Sequence, residues 1–244
     1  MSEAEEDALV DGDTQNRLDS PREAITVAVG VTLATAVVMT FAFDPDRAGT
    51  PAMLIAIGLL YAGLTGLALH RLDQRGELRR RFRPAGGDLA LGAVTAGLLY
   101  GAARLVEHAL AAHGTPQEAW VMRLYLQLGD PQAAGRVLVG GAVFVVAALE
   151  EIVWRGLVMR SLEAVLDRFR ALALTSVLFA LAHLPTLYLL RDPRAGYNPL
   201  VVLAALGCGL VWGLVYLRTT RLVPAIFAHA FFSWAIVEFP IWRL

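Results

Sequence analysis

Apolar residues run for about twenty positions at a time along this chain, and polar residues gather between the runs. A helix crossing the hydrocarbon core of a bilayer takes roughly 20 mostly apolar residues. The pattern predicts spans at 24–43, 51–70, 89–110, 137–159, 171–190, 199–217 and 222–239. The third is the least regular, with Arg104, Glu107 and His108 in its second half. The expected fold is all-α, a polytopic membrane helix bundle of about seven to eight transmembrane helices. Small-xxx-small pairs, Gly97–Gly101 and Gly209–Gly213, predict close helix approach. No internal repeat or discontinuous helix is evident, which argues against a transporter built from inverted halves.

Composition narrows the class further. Of 244 residues, 57% are hydrophobic and 18% charged, with mean hydropathy +0.55, where a soluble domain carries about 25% charged residues. This excludes a disordered chain and argues against an ordinary soluble enzyme. The net charge of −1 offers no field for nucleic acid, so no nucleic-acid partner is expected. A single cysteine, Cys208, excludes an intrachain disulfide and a CxxC metal knuckle.

The chain divides into four parts. Residues 1–23 hold eight acids and two arginines and are expected to form a disordered acidic cytoplasmic tail. Such an acidic start predicts no cleavable signal. Residues 24–110 carry the N-terminal transmembrane helices. Residues 111–135 are a loop whose 118–128 stretch reads either as an interfacial helix or as a helix packed on the bundle. Residues 136–244 form the expected core. Arg71, Arg75, Arg79, Arg80, Arg81 and Arg83 crowd the loop after the second span, and positive loops stay inside. The expectation is an integral, multi-pass protein with a cytoplasmic N-terminus, in the cell membrane if the host is bacterial or archaeal, with membrane lipids as partners.

Charges within spans are costly, at least ~2.5–3.5 kcal/mol near the bilayer centre on insertion scales. The fourth span carries Glu150, Glu151 and Arg155, the fifth Phe179 and His183, the seventh His229 and Ser233. At 1.5 Å rise per residue, Glu150, His183 and His229 each fall within roughly 5 Å of their span centres. Glu151 and Arg155 are four apart, acid first, the favourable order for a pair on one helix face. Glu150 is rotated about 100° away and can face another partner. His229 and Ser233 share a face by the same rule, as do Phe179 and His183.

A carboxylate and two imidazoles in apolar surroundings suit peptide hydrolysis, which needs an activated water and donors for the oxyanion. Glu150 with His183 can position and deprotonate water, while His229 with the hydroxyl of Ser233 can donate to the oxyanion. Glu150, His183 and His229 also match a zinc ligand set, and spacing alone does not separate zinc from metal-free activation by the carboxylate. The sequence has no HExxH, GxGD or GxSxG motif.

At these positions the sequence resembles the CPBP intramembrane proteases, which include the type II CAAX prenyl endopeptidases and bacteriocin-processing or self-immunity proteins. Glu150, Glu151 and Arg155 meet the family's Glu-Glu-x-x-x-Arg motif, and Phe179 and His183 its Phe-x-x-x-His. His229 meets the first position of His-x-x-x-Asn, with Ser233 where the family has Asn. The likeness runs from the fourth to the seventh span. It implies a helical membrane endopeptidase, of a family often labelled metalloprotease, with a buried polar active-site cavity near the midplane. That cavity is expected to open toward the cytoplasm or laterally to lipid, and to take a membrane-associated or lipidated peptide or protein as substrate. Glu150 and His183 would then activate the water, His229 and Ser233 support the oxyanion, and Glu151, Arg155 and Phe179 give structural support. The rival reading is a non-catalytic scaffold, self-immunity protein or transporter using the same polar cluster.

Overall fold

The computed structural model describes residues 20–130, 133 and 135–241. They are helical, with no strand among them. Among the described residues, six helices are long and apolar enough to cross a membrane, so the chain is an integral, multi-pass membrane protein by length and composition. In chain order these are α1 (Pro21–Ala42), α2 (Ala52–Gln74), α4 (Asp88–Leu110), α6 (Arg136–Leu162), the pair α7 (Arg168–Ala182) and α8 (Leu184–Leu189), and α9 (Leu200–Thr219). The expected seventh span is present as α10 (Leu222–Glu238), of 17 residues. At 1.5 Å per residue it reaches about 25 Å, short of the roughly 30 Å core. Two shorter helices, α3 (Leu78–Phe82) and α5 (Glu118–Gln127), lie in the connections.

Most of the acidic tail expected over 1–23 lies outside the described residues, but its last part is ordered helix. Ser20 caps α1, its Oγ accepting from the Glu23 amide at 3.3 Å, and Pro21 opens the first turn, a position where its missing N–H costs nothing. Along α1, Ile25, Val29, Leu33, Val37 and Phe41 point outward, one per turn, while Ala28, Thr35 and Met39 are buried. Large apolar side chains outside and small or polar ones inside are what a lipid-facing helix requires, since lipid tails solvate leucine as well as protein does.

The polar-lined helix α10 is the centre of the bundle, packed between α4 and α6 and against α9. Its entry is fixed by a tight turn. Thr220 is left-handed (φ 56°) and its amide bonds the Tyr216 carbonyl at 2.7 Å. Arg81 donates to the Thr220 carbonyl at 3.0 Å, and Arg221 pairs with Asp88 at 2.5 Å. Glycines set the close approaches. A Cβ on Gly92 would stand 2.6 Å from the Cβ of Phe227, and Gly209 lies against Phe179 and Ser176. Gly97 and Gly101, expected to mark a contact, meet nothing within 4 Å because they lie on the outer face of α4.

Two helices are discontinuous, contrary to the sequence reading. Within α6 the turns over Trp154–Met159 widen to π geometry. Gly156 sits there against Leu72 and Leu222, where a side chain would crowd them. The fifth span breaks at His183, between α7 and α8. Pro185 is the physical reason: it has no amide hydrogen, and its ring would clash with the carbonyl four residues back. Helix α5 buries Val121, Tyr125 and Gln127, and Tyr125 donates to the Ile236 carbonyl at 2.9 Å. It is therefore docked on the bundle end.

Candidate active site

Glu150 and Glu151 stand just before the π turn of α6, and Arg155 within it. All three are buried, at 7%, 0% and 1% exposure. Arg155 donates to Glu151 at 2.8 Å and to the Gly209 carbonyl of α9 at 2.7 Å, so the expected i,i+4 pair also ties α6 to α9. The same Glu151 oxygen bonds His229 Nδ1 at 2.9 Å. Glu151 thus orients a histidine as well as neutralising an arginine, a role the spacing did not disclose.

Glu150 faces away from that pair, as its rotation on the helix requires. His229 Nε2 lies 3.6 Å from its carboxylate. On the other wall, the break after α7 leaves His183 as the capping residue, and its Nδ1 bonds the Phe179 carbonyl at 2.8 Å. With Nδ1–H donated to a carbonyl, Nε2 is left as an acceptor.

These groups line one cavity of about 240 Å³, together with Phe179, Cys208, Trp212 and Ser233. Its remaining walls are apolar, among them Phe43 and Met53, Leu124 of α5, and Val237 of α10. They belong to the half of the bundle remote from the arginine-rich 71–83 loop, so the cavity runs from Glu150 toward the end that carries residues 43–54. Cys208 packs in this wall as a small buried residue.

Three aromatic residues complete the frame. Trp212 stacks on His229 with ring centroids 3.6 Å apart at 18°. Phe179 meets the His183 ring edge-on at 4.6 Å and Trp154 at 5.1 Å. Trp154 in turn donates from Nε1 to the Tyr61 hydroxyl of α2 at 3.0 Å. Trp212, Trp154 and Tyr61 were not singled out from sequence. A tyrosine mid-span in α2 and a tryptophan one turn after Glu150 were the available signals.

Among the described residues, no three His, Cys, Asp or Glu side chains converge to hold a metal ion. Glu150, His183 and His229 do not form the zinc set that their types allow. The cluster expected in the third span is partly local: Arg104 pairs with Glu107 at 3.8 Å and also reaches the Ile241 carbonyl.

Neither the curated proteins nor the solved structures yielded a match to the chain. Residues 132–235 match the family model described as type II CAAX prenyl endopeptidase Rce1-like. The match covers the stretch that bears all three motifs. It supports a CAAX-type protease, and with it the CPBP/CAAX protease family as the one this chain resembles.

Proposed function

We propose that the chain is an intramembrane endopeptidase that hydrolyses a peptide bond with a water activated by Glu150 and His183. The observation that carries this reading is the convergence of Glu150, His183, His229 and Ser233, from three separate spans, on one otherwise apolar cavity. Water bound between the Glu150 carboxylate and His183 Nε2 gives a proton to Glu150 as its oxygen adds to the scissile carbonyl. With both ring nitrogens protonated, His229 donates from Nδ1 to Glu151 and presents Nε2–H to the oxyanion, beside the Ser233 hydroxyl. Glu150 then passes its proton to the leaving amine. Apolar walls suit a lipidated or strongly apolar peptide. With the N-terminus and the arginine-rich loop inside, as the positive-inside rule proposes, the cavity lies on the outer half of the bilayer.

The test uses purified protein in lipid nanodiscs and a library of internally quenched peptides, with and without an S-farnesyl cysteine. Glu150→Gln and His183→Ala are each expected to lower cleavage by about 10²–10⁴-fold while keeping the wild-type melting temperature within a few degrees. Folded wild-type protein that cleaves nothing, or a Glu150→Gln variant as active as wild type, would sink the proposal. One observation favours a second reading. The π turn and the break at His183 are interruptions of the kind transporters place at ion sites. Cleavage by the wild type that Glu150→Gln abolishes decides for the protease.

A further inference from the structure

A second cavity, of about 600 Å³, opens at the end of the bundle remote from the arginine-rich loop, where α1 and α8 finish and α9 begins. Its walls include Pro45, Arg123 of α5, Leu189 of α8, and Arg191, Asp192 and Tyr197 of the loop into α9. None of these residues lines the catalytic cavity. We infer that this second cavity is a binding site for the phosphodiester headgroup of an anionic phospholipid, held by Arg123 and Arg191.

The loop that forms its wall is built, not slack. Asp192 and Gly196 exchange two backbone bonds of 2.9 and 2.8 Å, and Gly196 takes the left-handed conformation (φ 77°) that closes so tight a turn. Asp192 Oδ1 accepts from the amides of Arg194 and Ala195 at 2.9 and 3.3 Å. Buried Asn198 donates to the Trp120 carbonyl of α5 at 2.9 Å and to the Leu190 carbonyl at 3.3 Å. The loop bearing Arg191 is thereby fixed against the helix bearing Arg123.

Charge defines the ligand. Arg123 reaches Asp192 Oδ2 at 3.4 Å through one nitrogen, and its side chain is 40% exposed. Arg191 is exposed, and its guanidinium has no hydrogen bond or ion pair among the described residues. Two guanidinium groups against one carboxylate leave a single positive charge in excess. A phosphodiester carries one negative charge and offers the paired oxygens that arginine donors match.

The surroundings favour a lipid over a soluble anion. Val177, Leu181, Leu184 and Tyr188 are all exposed, spaced by three or four residues along α7 and α8. They make an apolar track that leads to Leu189 and the cavity. At its head Tyr188 meets Tyr197 edge-on at 5.1 Å, and both rings are more than half exposed. Tyrosines of this kind sit at headgroup level in a bilayer. An acyl chain laid on the track delivers its phosphate to the two arginines.

The test is native mass spectrometry of the full chain, purified in detergent and titrated with phosphatidylglycerol or phosphatidylcholine. The first phosphatidylglycerol is expected to bind at least about tenfold more tightly than phosphatidylcholine. Arg191→Gln, which removes no contact from the fold, is expected to weaken it about fivefold, and Arg123→Gln/Arg191→Gln to erase the preference. Arg79→Gln/Arg80→Gln, at the other end of the bundle, is expected to keep it. Melting temperatures confirm that each variant is folded. Equal binding of the two lipids, or a preference that survives the Arg123→Gln/Arg191→Gln change, overturns the inference. Displacement of the bound lipid by an equal concentration of inorganic phosphate or glycerophosphoglycerol also overturns it, because the site would then take a free anion. Peptide cleavage is not read in any of these arms, so the result stands apart from the protease reading.

Discussion

Two buried carboxylate clusters sit at different levels of this bundle, and they are built differently. Glu77, between α2 and α3, is saturated. Arg160 grips it with three bonds of 2.6–3.1 Å, and Arg81 adds another at 2.9 Å. Burial opposes its ionisation, but the hydrogen bonds and charge of Arg160, then of Arg81, outweigh that and hold its carboxyl at about 2. Glu150, by contrast, faces a cavity and meets His229 only at 3.6 Å, while the second oxygen of neighbouring Glu151 has no partner among the described residues. A closed cluster braces helices. An open one keeps unspent bonding capacity, which is what a reacting group needs.

Breaking the second cluster at its closed end is expected to have the largest structural effect. Arg155→Met strands Glu151 in the protein interior, and loss of one partner from a buried pair costs about 3–5 kcal/mol. Denaturation in mixed detergent micelles measures it, and a change below about 1 kcal/mol would show that Glu151 is neutral in the folded protein.

Next comes a change that moves the site without touching its chemistry. Gly92→Ala pushes a Cβ against Phe227 and the amide of Ala228, one residue before His229. Overpacking of this kind costs about 1–3 kcal/mol, and peptide cleavage is expected to fall with it as α10 shifts. Retained activity would mean that α4, not α10, yields.

Glu77→Gln sharpens the contrast from the other side. It is expected to cost about 1–2 kcal/mol, while leaving the cleavage rate of the folded protein unchanged. The sign of the pH dependence follows from the lowered carboxyl. The stability that ionised Glu77 contributes is fully present above its ordinary value of 4.5 and is lost as pH falls toward about 2. Acid melting curves of wild type and Glu77→Gln should therefore converge in that window; curves that stay parallel would refute the pairing. The smallest effect belongs to Gly97→Ala, whose Cβ meets open space, so stability should stay within about 0.5 kcal/mol.

The contrast also explains what the sequence could disclose. Glu150, His183 and His229 stand out because a charge in an apolar run is expensive and needs a reason. Tyr61, Trp154 and Trp212 do not, since aromatic residues are ordinary in such runs and only their contacts distinguish them. The glycine pairs divide for a geometric reason: Gly209 faces Phe179 and Gly97 faces outward, and spacing cannot say which face a helix turns to its neighbours. The break at His183 was legible in Pro185, two residues on. The π turn left no mark that propensity could read. As for the cavity's direction, it depends on which halves of seven helices splay apart, a property of packing rather than of any segment.

The stacking of Trp212 on His229 gives the molecule an optical handle. An imidazolium in contact with an indole ring quenches its emission more strongly than a neutral imidazole does. The difference in fluorescence between wild type and Trp212→Phe therefore reports the charge on His229 in the intact protein, with no substrate present. A pH titration of that difference signal, repeated in Glu151→Gln, would follow the histidine as it gains and loses its second proton.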